Sequence, residues 1–267
     1  MMSARFLTVV LERAFNMRDG FGREIDYMRI SVIDSCNLNC YYCNPCDNNE
    51  HCHALNILSV KEVLCIVRAA TRLGIKHFRL TGGEPLLHPQ LDEMVLQIKK
   101  IPGVSSVSLT TNAVLLEQHA KWLKEAGIDS INVSLDTIDA SEYERITKKP
   151  LLEEVKHGIN AAIECGIRVK INVVLTPQTD VVALTRYVAK KGTDIRFIEM
   201  MPVGEGHTNG VEPYKKVIGT LSKLYGEPCR INTEKTKEIN SGNDKRKIPD
   251  NGPAEYYIFP ELGIRVG

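Results

Sequence analysis

Along the first two hundred residues, short runs rich in Val, Ile and Leu alternate with longer runs whose apolar residues recur at helical spacing. That order predicts βα units and a parallel sheet. The predicted strands are Tyr27–Ile33, Lys76–Leu80, Ser106–Thr110, Ser130–Leu135, Val169–Leu175 and Asp194–Glu199. Their aliphatic content is that expected of strands buried on both faces.

Helix signals fill the intervals. Ser59 and Glu62 form a capping box ahead of Val60, Val63, Leu64 and Val67. Ser141 with Glu144 predicts a second box, and Leu152, Val155, Ile159, Ala162 and Ile163 form an apolar stripe. Gly74-Ile75, Gly127-Ile128 and Gly166-Ile167 each read as a helix-ending glycine followed by the next strand. After Met201 the pattern weakens to one helix near Tyr214–Leu224 and a Lys-rich polar stretch, Thr233 to Asn251, read as exposed loop or hairpin. Six βα units do not close an eight-stranded barrel. The predicted fold is therefore α/β, a partial (β/α)6 TIM-like barrel of parallel strands over residues 1–202 with a short C-terminal extension over 203–267. In such a fold the C-terminal ends of the strands carry the chemistry.

Composition narrows the function classes. Lys plus Arg number 34 and Asp plus Glu 33, a formal charge of +1, so no general field favours nucleic acid or anionic lipid, and neither is an expected partner. An anionic substrate then needs locally placed cations. No stretch reaches the length of a membrane span, and the apolar run Phe6 to Leu11 lacks the flanks of a signal peptide, so the chain is expected in the cytoplasm.

Four of the eight cysteines fall between Cys36 and Cys46, which points to metal rather than a disulfide framework. Cys36-x3-Cys40-x2-Cys43 lies directly after the first strand, where three thiolates can converge on one iron–sulfur cluster. Three ligands leave one iron open for a reactant. Zinc is the competing reading, because Cys40-x2-Cys43 and Cys43-x2-Cys46 have zinc-like spacing and His51, Cys52 and His53 follow. It would make the chain a zinc-binding interaction module. Cys46 and Cys52 are assigned no ligand role, and Cys65, Cys165 and Cys229 are expected to be buried and inert.

Polar groups recur at the other strand ends: Thr81-Gly82-Gly83-Glu84-Pro85, Thr110-Thr111-Asn112, Ser134-Leu135-Asp136, Lys170 with Asn172, and Glu199-Met200-Met201. Five such ends at one rim predict a binding site.

The cysteine motif together with Gly82-Gly83-Glu84-Pro85 resembles the radical SAM superfamily. Further stretches resemble the GTP 3′,8-cyclase family of molybdenum-cofactor biosynthesis: Phe21-Gly22-Arg23, Arg29-Ile30-Ser31-Val32, Asn132-Val133-Ser134-Leu135-Asp136, Arg196-Phe197-Ile198-Glu199 and Gly252-Pro253-Ala254-x-Tyr256-Tyr257. The likeness runs in order over about residues 17 to 262. It implies a lyase that holds a [4Fe–4S] cluster through Cys36, Cys40 and Cys43. It places S-adenosylmethionine on Tyr42, Gly83, Ser134 and Met201, and GTP against Arg23, Arg79, Thr110 and Lys170. No residue is assigned as general acid or base. The reaction implied is abstraction of the ribose 3′ hydrogen of GTP by a 5′-deoxyadenosyl radical, then attack of C3′ on guanine C8. An electron donor such as flavodoxin or ferredoxin and a homodimer are implied partners. Another nucleotide, a sugar or a peptide is the alternative substrate.

The family pattern continues with a second cysteine triad and an Arg-rich segment, whereas residues 203–267 contain only Cys229. The chain therefore reads as a fragment or a short natural relative, expected to cleave S-adenosylmethionine while cyclising little GTP. Asn44-Pro45 and Thr111-Asn112-Ala113 also depart from the family's Met-Pro and Thr-Asn-Gly.

Overall fold

The structure is a computed structural model that describes residues 17–43, 56–200, 214–231 and 255–267. Six strands form its frame: β1 Tyr27–Ser31, β2 His77–Thr81, β3 Ser106–Thr111, β4 Ser130–Ser134, β5 Arg168–Leu175 and β6 Asp194–Glu199. They pair in chain order and all run parallel. The intervening helices are α1 Val60–Arg72, α2 Leu91–Lys99, α3 Leu116–Glu125, α4 Ala140–Thr147, α5 Leu152–Glu164 and α6 Val181–Lys190, followed by α7 Tyr214–Tyr225.

Local chemistry explains most of the boundaries. Ser59 caps α1 in a full capping box with Glu62, an arrangement that stabilises a helix by about 1 kcal/mol. Gly74, Gly127 and Gly166 follow the C-caps of α1, α3 and α5 with φ of 93°, 90° and 68°, a region an L side chain enters only with strain. The expected box at Ser141 is corrected. Asp139 is the cap of α4, accepting from the Glu142 nitrogen at 2.8 Å, and Ser141 donates to Asp139 Oδ1 from inside the first turn.

The strands are not apolar on both faces, and this too corrects the expectation. In register, Phe78, Leu80, Val107, Leu109, Ile131, Val133, Ile171 and Ile195 lie on one face, fully buried. Polar residues occupy most of the alternate positions, Val174 and Ile198 being apolar. Helices cover the first face, and the second is the polar inner surface of a partial barrel.

The described part of residues 203–267 joins the same sheet. Strand β9, Ile264–Val266, pairs parallel to β6, and β8, Tyr256–Phe259, and β7, Cys229–Ile231, continue antiparallel beyond it. Among the described residues the sheet therefore has nine strands, in the order β1-β2-β3-β4-β5-β6-β9-β8-β7. Asp194 fastens this join through ion pairs with Arg168 and Arg265. The polar stretch from Thr233 to Asn251 lies outside the described residues. No helix among the described residues is long and apolar enough to cross a membrane.

Candidate active site

The loop after β1 carries Cys36, Cys40 and Cys43, all as free thiols. It is tied down on two sides. The Asn39 and Tyr41 nitrogens donate to the Thr147 and Ile146 carbonyls at the end of α4, at 3.0 and 3.1 Å. From β2, the Gly83 nitrogen donates to Ile33 O and the Glu84 nitrogen to Ser35 O, both at 2.7 Å. A β-carbon on Gly83 would lie 2.2 Å from Ser35 O, so this glycine is required by the cluster loop's own backbone.

Glu84 is 1% exposed, yet its carboxylate has three donors: Thr111 Oγ1 at 2.7 Å, the Leu86 nitrogen at 2.9 Å and the Asn112 nitrogen at 2.7 Å. Burial raises its pKa and these donors oppose the rise. One carboxylate thus locks the ends of β2 and β3 against each other beside the thiols. Sequence motifs placed Glu84 at the rim but gave no sign of this role.

Burial pushes the Cys40 thiol up to about 12, with the negative charges of Asp136, Cys43 and Cys36 adding to the effect. Cys36 is raised chiefly by burial. A cationic iron centre beside these sulfurs offsets both causes and favours the thiolates. Among the described residues no three His, Cys, Asp or Glu side chains are grouped to hold one metal ion. Zinc needs its ligands about 2.0–2.3 Å from a single centre. A cluster gives each thiolate its own iron, and the three thiols of this loop, near enough to act on one another electrostatically, suit it. Cys46, His51, Cys52 and His53 lie outside the described residues.

Tyr42 reaches from the loop to β4, donating its hydroxyl to Asp136 Oδ2 at 2.5 Å, while Asp136 Oδ1 accepts from the Val174 nitrogen at 2.7 Å. Burial pushes Asp136 up to about 6 and raises Tyr42 as well. These groups, with Cys40, Asn112 and Ser134, line a cavity of about 40 Å³. A larger cleft of about 340 Å³, between Arg68, Arg72 and Lys100 at the C-terminal ends of α1 and α2, lies at the opposite end of the strands.

The polar inner face continues from the smaller cavity, beside Ser134, in two rows. Thr110, Asn132, Lys170 and Asp194 are register partners across β3 to β6, and Ser134, Asn172 and Arg196 form the row above. Lys170 Nζ donates to Tyr256 Oη at 2.9 Å, and Arg196 Nε donates to the same oxygen at 2.9 Å. Two cations from the barrel thus meet a phenol delivered by β8. Asn132 is 2% exposed and Asn172 8%, and among the described residues Asn132 Nδ2 and Asn172 Oδ1 have no hydrogen-bond partner. Buried polar atoms without partners are costly and mark places where a polar ligand supplies the missing bond.

Tyr42, Gly83 and Ser134 thus lie at the C-terminal ends of the strands, and Thr110 and Lys170 lie on the same inner face one row below Ser134. Arg79 shares the inner face on β2, donating to Ser108 Oγ at 3.1 Å with its guanidinium 5.3 Å from the Tyr27 ring. Arg23 stands apart, 73% exposed and paired with Asp19 at 2.6 Å. Met201 lies outside the described residues. The remaining thiols correct an expectation: Cys65 and Cys229 are exposed and Cys165 is partly so, rather than buried. Tyr256, Arg196, Asn132 and Asn172 were present in the quoted motifs, and only their shared face with Lys170 signals a role.

An open parallel barrel with three thiols on the loop after β1 and a glycine-rich turn after β2 defines a class. Residues 30–184 match the radical SAM superfamily. Solved structures agree on the fold: Streptococcus suis SuiB bound to precursor peptide SuiA aligns with a TM-score of 0.61 at 19% identity, over 74% of this chain and 45% of that one. Methylornithine synthase aligns at 0.59 and 16% identity, over 75% of this chain and 62% of that one. Curated relatives named GTP 3′,8-cyclase are similar at the level of sequence. That of Clostridium perfringens (strain SM101 / Type A) is 37% identical over 254 residues, 94% of this chain and 74% of the relative. That of Listeria monocytogenes serovar 1/2a is 40% identical over 245 residues, 90% and 70% respectively. The chain belongs to the GTP 3′,8-cyclase family of the radical SAM superfamily. Its cofactors are those of the superfamily, a [4Fe–4S] cluster and S-adenosylmethionine.

Proposed function

We propose that this chain converts GTP to 3′,8-cyclo-7,8-dihydro-GTP for molybdenum-cofactor biosynthesis, with Cys36, Cys40 and Cys43 as the cluster ligands; similarity to GTP 3′,8-cyclases over 90–94% of the chain favours this over the low cyclisation expected from residues 203–267. The observation that carries this reading is the clamped three-thiol loop facing a polar barrel interior with cations on its walls. When bound, the cofactors supply a 5′-deoxyadenosyl radical by one-electron cleavage of the sulfonium, with methionine released. A reduced flavodoxin or ferredoxin is the source of that electron, and the cytoplasm is the matching compartment.

The chain's own residues then have separable tasks. Gly82 and Gly83 keep the cluster loop against β2. Tyr42 and Ser134 border the small cavity next to Cys40, and in this reading they contact S-adenosylmethionine at the strand ends, with Gly83 and Met201 completing its site. Lys170, Arg79 and Arg196 face inward and supply the local positive charge that a neutral protein needs for a triphosphate. Thr110 and Asn132 lie in the same row as Lys170 and are positioned for the nucleoside. Arg23 reaches the nucleotide only by leaving Asp19. Holding C3′ and C8 together is the main work, because orientation converts a radical encounter into a directed one.

Iron and sulfide analysis tests the ligand assignment. Cys36→Ala, Cys40→Ala and Cys43→Ala should each abolish cluster binding after anaerobic reconstitution, while Cys65→Ala, Cys165→Ala and Cys229→Ala retain it. Full iron in Cys40→Ala contradicts the reading.

A further inference from the structure

The side-chain amide of Asn112 is fixed from several directions. Its backbone nitrogen donates to Glu84 Oε2 at 2.7 Å, and its Oδ1 accepts from the Val114 nitrogen at 3.1 Å. The second bond decides which end of the amide is oxygen and which is nitrogen. Nδ2 therefore faces the cluster loop, where it donates to Asn37 Oδ1 at 2.7 Å and lies 3.7 Å from Cys36 Sγ. A primary amide has two N–H groups, one for each of these acceptors. Cys36 Sγ also accepts from the Leu38 nitrogen at 3.4 Å.

We propose that Asn112 is a positioning residue that tunes the cluster through Cys36, its N–H drawing charge from the ligating sulfur and raising the cluster's reduction potential. The sign follows from electrostatics. The reduced cluster carries one more negative charge than the oxidised one, so a donor to the sulfur stabilises the reduced form more. Glu84 has a part in this, since it holds the Asn112 backbone and so aims the amide. The chain from Glu84 to Asn112 to Cys36 links the turn after β2 to the electronics of the site. The consequence is functional: a cluster too negative in potential is not reduced by a physiological donor. This inference rests on Cys36 being a cluster ligand.

The test is an EPR-monitored redox titration of the reconstituted protein. Asn112→Asp retains the backbone anchor and the oxygen facing Val114 but exchanges the donor for an acceptor. Asn112→Ala removes the donor together with the oxygen that accepts from Val114, and adds no charge. Both should hold full iron and show a more negative midpoint than wild type, with the larger shift in Asn112→Asp. An unchanged midpoint in both overturns the proposal, as does a loss of iron matched by a general fall in stability, which marks a structural role. A measurement on unsubstituted protein is independent of either variant. With asparagine labelled by 15N at its side-chain amide, pulsed EPR of the reduced cluster should show a 15N coupling, and its absence overturns the proposal. Cys36→Ala separates the two levels: full iron there sinks the ligand assignment itself rather than the tuning role.

Discussion

A carboxyl oxygen of Glu84 lies 2.7 Å from the backbone nitrogen of Asn112, so a buried acceptor on the turn after β2 holds the end of β3. All three of its partners are donors. Glu84→Gln keeps the shape but places an NH2 group against one of them. Chemical denaturation should show a loss of about 2 kcal/mol, the scale of an unsatisfied buried group. Cluster retention after reconstitution should fall with it.

Gly83 gives a related prediction with a different cause. Because its missing β-carbon would sit 2.2 Å from Ser35 O, even Gly83→Ala must displace the cluster loop. Iron content and S-adenosylmethionine affinity should therefore fall together. A variant with full iron and weakened cofactor binding would show that Gly83 acts on the cofactor alone.

Asn132 and Asn172 should trade stability for binding. Each buries an amide atom with no partner among the described residues, so Asn132→Leu and Asn172→Leu should raise the melting temperature of the ligand-free protein. The same changes should weaken GTP binding by about tenfold, the value of one well-placed hydrogen bond. Calorimetry in the absence and presence of GTP measures both effects. A lowered melting temperature would mean that the amides serve the fold.

Ala113 sits at φ 64° in the turn after β3, where the left-handed conformation costs a residue with a β-carbon about 1 kcal/mol relative to glycine. Ala113→Gly should stabilise the protein by roughly that amount in a denaturant titration. Destabilisation would mean that the buried methyl contributes more through packing than the backbone loses.

How far these features could be read from the sequence depended on how local they are. The capping box at Ser59 and the glycines ending α1, α3 and α5 are set within a few residues, and they stand as expected. The aliphatic richness of the strands hid a simpler fact. In Ser130-Ile131-Asn132-Val133-Ser134 the polar positions alternate, and that period marks one face as open to ligand rather than helix-covered. The cap of α4 was ambiguous because Asp139 and Ser141 both precede an acidic residue by three positions, and only the extended backbone at Asp139 decides between them. Tyr256 meets Lys170 across 86 residues through a strand of four, too short for a periodic signal. Glu84 looked like one more polar residue at the rim because burial is a tertiary property.

The most direct test of the central claim is isotopic transfer from substrate to cofactor. The anaerobically reconstituted and reduced protein is incubated with S-adenosylmethionine and GTP carrying deuterium at C3′, and the 5′-deoxyadenosine formed is weighed by mass spectrometry. The account predicts 5′-deoxyadenosine containing one deuterium, together with a cyclised product that has lost it, and no transfer when the label is at C2′. Iron-loaded protein that releases only unlabelled 5′-deoxyadenosine from 3′-labelled GTP would contradict it.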